Sequence, residues 1–375
     1  MESANRGKDI TRLAPPARGD HLARRKDRPT GPLEPRSAAI LRAIIEEYVA
    51  TATPVGSQAL VERRRLGVSS ATVRNIMAEL EAAGYLHHPH TSAGRVPTDA
   101  GYRLYVGSIV HATPLPLVDQ LMIRHQFGQV EFASEHWFRL AASALAGATH
   151  AAGLATPAKP PTSRVKRVEL LRAGDRLATV VLLLADGPIK QALIGLEGPA
   201  SDAELEETGR RLNELLQGRT RREVERVAQR LAAGSVPDDL AAVATKRIAA
   251  LMRDFDAAAV EDVFSEGLLN VMAEPEFERS EKLRRVFAAL QNRDYLGSLV
   301  LEVARGGDVQ VFIGTENRAA EMQDVSLIVA PYGRPGRALG VVGVLGPTRM
   351  AYPQAISSVR YVSGLMNELV DNLYS

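Results

Sequence analysis

The sequence predicts an α+β, multidomain protein. Three observations carry this. The chain has 375 residues, more than one hydrophobic core ordinarily organises, so two or three domains are expected. Residues 37–110 read as three short helices, a two-stranded hairpin and a further helix. Beyond them, strands give way to about ninety residues of helical periodicity and then return, the pattern of an α/β domain with a helical insertion.

Composition narrows the function classes. Hydrophobic residues make up 45% and charged residues 24%, as in ordinary globular proteins. Cysteine is absent, which removes disulfides, thiolate zinc sites and cysteine nucleophiles and fits a cytoplasmic location. No apolar run reaches the roughly 18 residues needed to span a bilayer. The longest, LATVVLLLA (177–185), suits a buried strand. The arginine-rich start has no apolar segment behind it, so it is not a secretory signal. Net charge is only +2, but residues 1–110 hold 16 Lys+Arg against 11 Asp+Glu, and the remainder holds 30 against 33. The basic excess sits mostly in residues 1–36, rich in Arg, Pro and Gly and without periodicity. They are expected to form a disordered basic extension, the alternative being a start codon placed too far upstream.

The elements follow in order. Ile40, Leu41, Ile44, Ile45, Tyr48 and Val49 make one face of a helix that begins near Ser37 and is broken by Pro54 and Gly56. Ser57 caps a second helix, QALVERRR. Ser69 or Ser70 caps a third, running to about Ala83 with Gly84 at its stop. YLHH and RVP form a hairpin around the turn TSAG, and a final short helix starts near Thr98. Farther on, WFRLAASALAGATHAAG is helical, and VKRVELLRAGDRLATVVLLLADGPIKQALIGLE reads as three strands. Residues 201–293 are amphipathic and helical, with caps at Ser201 and Ser280. LGSLVLEVA, VQVFIG, VSLIVAPYG and LGVVGVLG are read as strands, and a helix over about 354–373 closes the chain.

Three helices, a hairpin and a helix within this length make the plan of a winged helix-turn-helix. Val73, Ile76, Met77 and Leu80 fall at i, i+3, i+4 and i+7 and face inward. Ala71, Asn75 and Ala78 then face outward, flanked by Thr72 and Arg74. That face suits the DNA major groove: alanines allow close approach, Asn pairs with adenine, and Arg pairs with guanine or phosphate. Ser69 and Ser70 offer hydroxyls and helix N-terminal amides to a phosphate.

The hairpin stretch LHHPHTSAGRVPTDAGY carries three histidines in four positions, yet it makes a poor zinc site. His87 and His88 are adjacent and point to opposite faces of a strand, Pro89 separates His90 from them, and no cysteine or carboxylate cluster is near. A wing tip fits better: Thr91 and Ser92 are phosphate-contacting types, Gly94 permits a tight approach, and Arg95 can enter the minor groove or bind the backbone. His90 is a further DNA-binding candidate that adds charge at lower pH, surface packing being the default for the histidines. GTEN (314–317) and GPTR (346–349) lack the Gly-rich spacing of a phosphate loop and are read as strand-end turns. No cofactor is expected. An enzyme is disfavoured, because no histidine follows His150 to serve a serine or carboxylate mechanism.

The run PVGSQALVERRRLGVSSATVRNIMAELEAAGYLHHPHTSAGRVPTDAGYRLYV closely resembles the bacterial heat-inducible transcription repressor HrcA family, as do FIGTEN, VSLIVAPYG and LGVVGVLGPTRMAYPQAISSVRYVS. The resemblance covers the chain from about residue 37 onward. It implies a winged-helix DNA-binding domain (37–110), a GAF-like domain in two parts (111–200 and 276–375) and an inserted dimerisation domain (201–275). It further implies repression of chaperone operons through an inverted-repeat operator, with the chaperonin GroEL as co-regulator and no membrane partner. A two-fold repeat calls for a homodimer. Leu212, Leu215, Leu216, Val224, Val227 and Leu231 are the expected dimer surface, unless they fold onto the α/β core instead. A regulator gated by a metabolite in the GAF-like domain is the alternative function.

Overall fold

The structure is a computed structural model that describes residues 33–373, except 65, 90–93, 110–113, 130–133, 159, 161, 186–188, 234–238, 258–262, 278–279 and 335–337. Most of the expected basic extension therefore lies outside the described residues, as do His90, Thr91 and Ser92.

The N-terminal module begins with α1 (Pro35–Thr51). Proline is suited to a first helical position because its missing N–H would be unpaired there anyway, so the helix starts two residues before Ser37. It ends at Ala52, whose left-handed backbone returns its N–H to the Tyr48 carbonyl. Then come α2 (Ser57–Arg64), α3 (Ser70–Ala82), β1 (Leu86–His87), β2 (Val96–Pro97) and α4 (Asp99–Leu104), which runs on as a π-helical turn through Ile109. Ile40, Leu41, Ile44, Leu60, Val73, Leu80 and Leu86 are all essentially buried in one core. Glu47 closes α1 onto α2 by accepting hydrogen bonds from Arg63 and Arg64.

Next are α5 (Leu117–Gly128), α6 (Ser134–Thr149) and β3 (Ala152–Ala155), and then a self-contained unit. Its strands β4 (Val165–Gly174), β5 (Leu177–Leu184) and β6 (Ile189–Gly195) form an antiparallel sheet in the order β4-β5-β6. Its helices are α7 (Asp202–Leu216), α8 (Arg221–Ala232) and α9 (Asp239–Ala257). Ser201 and Glu204 start α7 with a reciprocal capping box. The inner sheet face (Val168, Leu170, Val180, Leu182, Ile194) packs on Leu212, Leu216, Val224, Ile248 and Met252 in one core. The leucines and valines expected at a dimer surface are thus used internally: Leu212, Leu216, Val224 and Val227 are buried, and Leu215 and Leu231 pack against the same core. The core they join is that of β4–β6, not that of the second sheet. Asn213 supplies what a neighbouring strand would give β4. Its Oδ1 accepts from Val168 N at 2.8 Å and its Nδ2 donates to Val168 O at 2.7 Å.

The second sheet is assembled from both sides of this unit. After it come β7 (Phe264–Glu266), α10 (Leu268–Met272), α11 (Ser280–Gln291), α12 (Arg293–Gly306), β8 (Gln310–Ile313), β9 (Val325–Arg334), β10 (Ala338–Pro347) and α13 (Tyr352–Leu373). The sheet runs β7-β3-β10-β9-β8 and is antiparallel throughout. Its two faces are covered separately. Leu145 of α6 and Val359, Val362 and Met366 of α13 meet Ile328, Ala330, Val342 and Val344. Val286 and Leu290 of α11 and Val303 of α12 meet Leu327, Val329, Val341 and Leu345.

Two expectations change. LGSLVLEVA is not a strand but lies within α12: Leu296, Leu299, Val300 and Val303 recur at helical spacing and pack inward. Among the described residues, the strands of 165–195 form a sheet with one another and do not join the sheet flanking them, so the expected boundary at 200/201 falls inside the inserted unit. That unit is the connection of a hairpin, since β3 pairs directly with β7 (Gly153 opposite Glu266, Ala155 opposite Phe264). Among the described residues, no helix is long and apolar enough to cross a membrane.

Candidate nucleic-acid interface

The helix α3 begins where a short polar residue is needed. Ser69 is its N-cap: its Oγ accepts the Thr72 N–H at 3.1 Å and contacts Thr72 Oγ1 at 2.9 Å. Ser70 contacts Ser57, the first residue of α2, through their hydroxyls at 3.1 Å, fixing the α2–α3 turn. Val73, Ile76, Met77 and Leu80 are buried, which leaves Ala71, Arg74, Asn75 and Ala78 exposed on the other side, with Thr72 half-buried. Arg74 and Asn75 make no side-chain hydrogen bond or ion pair with the described residues. The structure thus brings Ala71, Arg74, Asn75 and Ala78 onto one open face, while Ser70 turns to Ser57.

The hairpin is tied to the turn before α2 as well as to itself. Leu86 pairs with Pro97 and His87 with Val96. Arg95 forms a β-bridge with Val55, with both N–H···O bonds at 2.9 Å, so the turn before α2 becomes a third strand position. Gly94 is buried there. A Cβ at this position would lie 2.6 Å from the Pro54 carbonyl carbon, so the missing side chain serves packing against Pro54. The Arg95 guanidinium turns back onto α3, where its Nε lies 2.8 Å from Glu81 Oε2 without hydrogen-bond alignment. Glu81 is the residue the sequence reading missed. It stands on the same helix three residues past Ala78, and no local spacing pairs it with Arg95. His87 and His88 are exposed.

The far side of the hairpin is a run of fitted parts. Thr98 caps α4 by accepting Gly101 N–H at 3.1 Å and donates to Gly84 O at 2.7 Å. A Cβ on Gly101 would stand 2.3 Å from the Tyr85 carbonyl oxygen, so α4 crosses the hairpin at a distance only glycine allows. Tyr102 is buried with its ring 5.6 Å from that of Tyr352, and burial raises its phenol well above the ordinary range.

Known proteins resemble this chain over most of its length. A family model described as the HrcA protein C terminal domain matches residues 135–356. The heat-inducible transcription repressor HrcA of Roseiflexus castenholzii is 41% identical over 347 residues, 92% of this chain and 96% of that protein. The chain belongs to the HrcA family. The HrcA of Chloroflexus aurantiacus is 40% identical over 356 residues, again covering 92% of this chain and 96% of its own length. Coverage of that extent takes in the N-terminal module as well as the two sheets. A crystal structure of a hypothetical protein at 2.2 Å resolution superposes with a TM-score of 0.58 at 25% identity, covering 91% of this chain and 99% of that one.

Proposed function

We propose that this HrcA-family chain is a negative transcriptional regulator of heat-shock operons that binds an inverted-repeat operator as a homodimer. In this reading the N-terminal module is a winged helix-turn-helix and α3 enters the major groove. The observation that carries it is the open face of α3. Its alanines let the backbone approach, while Arg74 and Asn75 stand free for base edges. Ser69, Ser70 and Thr72 lie at the helix start, where phosphates bind. His90, Thr91 and Ser92, which lie outside the described residues, remain expected contacts by residue type, and Arg95 joins the interface once it leaves Glu81. Gly94 acts indirectly, by seating the wing on Pro54.

The dimer is assigned to the inserted unit, though to its sheet rather than its helices. The outer face of β4–β6 presents Leu171, Leu177, Ile189 and Leu193 at 51%, 44%, 64% and 59% exposure. An apolar sheet face open to this extent marks an interaction surface. The five-stranded sheet with its flanking helices takes the GAF-like role, and the chaperonin GroEL acts as co-regulator of a cytoplasmic protein. No catalytic step belongs to this function.

The test is a footprint of the purified protein on DNA upstream of the chaperonin genes at two temperatures, with and without GroEL. Symmetric protection that weakens at the higher temperature, and active repressor that increases with GroEL, are expected. Absence of protection would remove the reading.

A further inference from the structure

We infer that α4 and the GTEN loop form a clamp that sets the angle of the DNA-binding module on the rest of the chain, with Asp99, Arg103, Thr315 and Glu316 as positioning residues for operator binding. This rests on the proposed operator-binding function and goes beyond it, by assigning a task to a loop that the sequence alone marks only as a turn.

Each residue of the loop has a distinct part. Gly314 has a backbone φ of +50°, and a Cβ there would stand 2.4–2.6 Å from all three carboxyl atoms of Asp99. The bare glycine is what lets that carboxylate in. Thr315 then donates twice to Asp99 Oδ2, from its N–H at 2.9 Å and from its hydroxyl at 2.8 Å. Glu316 takes Arg103 in a two-pronged pair, with Arg103 Nε on Oε1 at 2.7 Å and Nη2 on Oε2. The same Nη2 also donates to the Val311 carbonyl of β8. Asn317 is buried, and its amide nitrogen donates to Gly314, Met322 and Val325 carbonyls at 2.9–3.0 Å, which holds the loop in shape.

Asp99 and Arg103 are four residues apart, on one face of α4. The loop meets them with the opposite polarity in each place: donors for the carboxylate, a carboxylate for the guanidinium. Charge-assisted bonds of this kind fix orientation as well as adding energy. A second tie lies nearby, where Arg349 of the GPTR turn pairs with Glu274 and Glu276 and reaches the Val49 carbonyl of α1. Neither tie touches the open face of α3. The clamp therefore leaves the DNA surface available while fixing where it points. In a two-fold dimer that direction decides whether two α3 helices reach successive major grooves at once. A module free to swivel still binds one half-site but loses the gain from binding two.

The test uses the full-length protein and the variants Asp99→Ala, Glu316→Ala and the exchange pair Arg103→Glu with Glu316→Arg. Affinity is measured for the full inverted repeat and for a single half-site duplex. The single variants are expected to weaken full-operator binding about 10- to 100-fold with half-site binding within about twofold, and the exchange pair to recover part of the loss. Equal loss on both duplexes, or no loss on either, would overturn the clamp. Because the chain has no cysteine, spin labels on Gln58→Cys and Glu321→Cys give a distance independent of DNA. A narrow distribution that broadens in Asp99→Ala supports the clamp, and an unchanged one overturns it. A parent protein with no preference for the full repeat refutes the repressor reading, while the label distance still judges the clamp.

Discussion

The two sheets of this protein treat their apolar side chains differently. The five-stranded sheet is sandwiched: β9 and β10 are buried along most of their length, with α6 and α13 on one side and α11 and α12 on the other. The three-stranded sheet of the insertion is covered on one side only. Its inner positions are buried along β5, and its outer positions expose Leu171, Leu177, Ile189 and Leu193. Strands covered on both faces read as continuous apolar runs, and strands with a free face read as alternation. Here several outer positions are themselves apolar, interspersed with Arg167, Glu169, Thr179 and Gln191. A surface that is apolar where folding does not require it is available for another molecule.

The contrast is broken most severely from inside. Leu182→Ala on the inner face should cost about 2–5 kcal/mol, whereas Leu193→Ala on the outer face should stay within about 0.5 kcal/mol in the isolated monomer, both read from urea unfolding. Ile189→Asp with Leu193→Asp tests the outer face as an interface. Light scattering should show the mass fall to that of one chain while the circular dichroism spectrum holds; an unchanged mass places the dimer contact elsewhere. Asn213→Ala would strip the false neighbour from β4 and leave Val168's N–H and C=O without it, which should cost about 1–3 kcal/mol.

The same division between committed and open surfaces recurs in the N-terminal module, and two milder changes sharpen it. Arg74→Ala on the open side should cost about 1–3 kcal/mol of operator binding and relax sequence preference; retained preference would confine Arg74 to phosphate. Arg95→Ala should weaken all sequences alike and make the salt dependence shallower by about one counterion. Glu81→Gln should act in the opposite direction by freeing Arg95, and equal affinities for the two variants would take Arg95 out of the interface. The smallest effect belongs to the committed side. The hydrogen bond from Arg63 holds the Glu47 carboxyl below its ordinary value, against the upward push of burial. A depressed carboxyl contributes stability above its unfolded value of 4.5 and loses it as pH falls through the lower folded value. The melting temperature should therefore fall as acid is added across that range. Glu47→Gln should be less stable at neutral pH and flatter with pH.

Local order was legible in the sequence because it depends on neighbours. Ser69 and Ser201 cap the helices their positions suggest, and α3 turns the expected residues inward. Partition between sheets was not legible. Strand propensity at 165–195 says nothing about which strands will pair, and that choice placed an entire sheet in the insertion. LGSLVLEVA misled because valine and leucine serve both strands and buried helices, and a short apolar run does not separate the two. For the proposed DNA-binding face, the α3 residues were accessible to a helical wheel. The Arg95–Glu81 pair and the bonds from Asp99 to Thr315, 216 positions apart, depend on tertiary approach that no local spacing encodes.

Because the insertion leaves β3 at Ala155 and returns to β7 at Phe264, directly opposite, its two attachment points sit side by side. The unit is therefore a pendant on a single hairpin, and a tight turn of two to five residues would close the gap. With the proposed dimer contact on that pendant, assembly and DNA reading would fall on separable parts of the chain. Excision should yield a monomeric reader that binds half-sites, and grafting the pendant into another hairpin should carry pairing with it. Duplication, loss or exchange of that pendant would give evolution a way to alter how the chain assembles without disturbing what it reads.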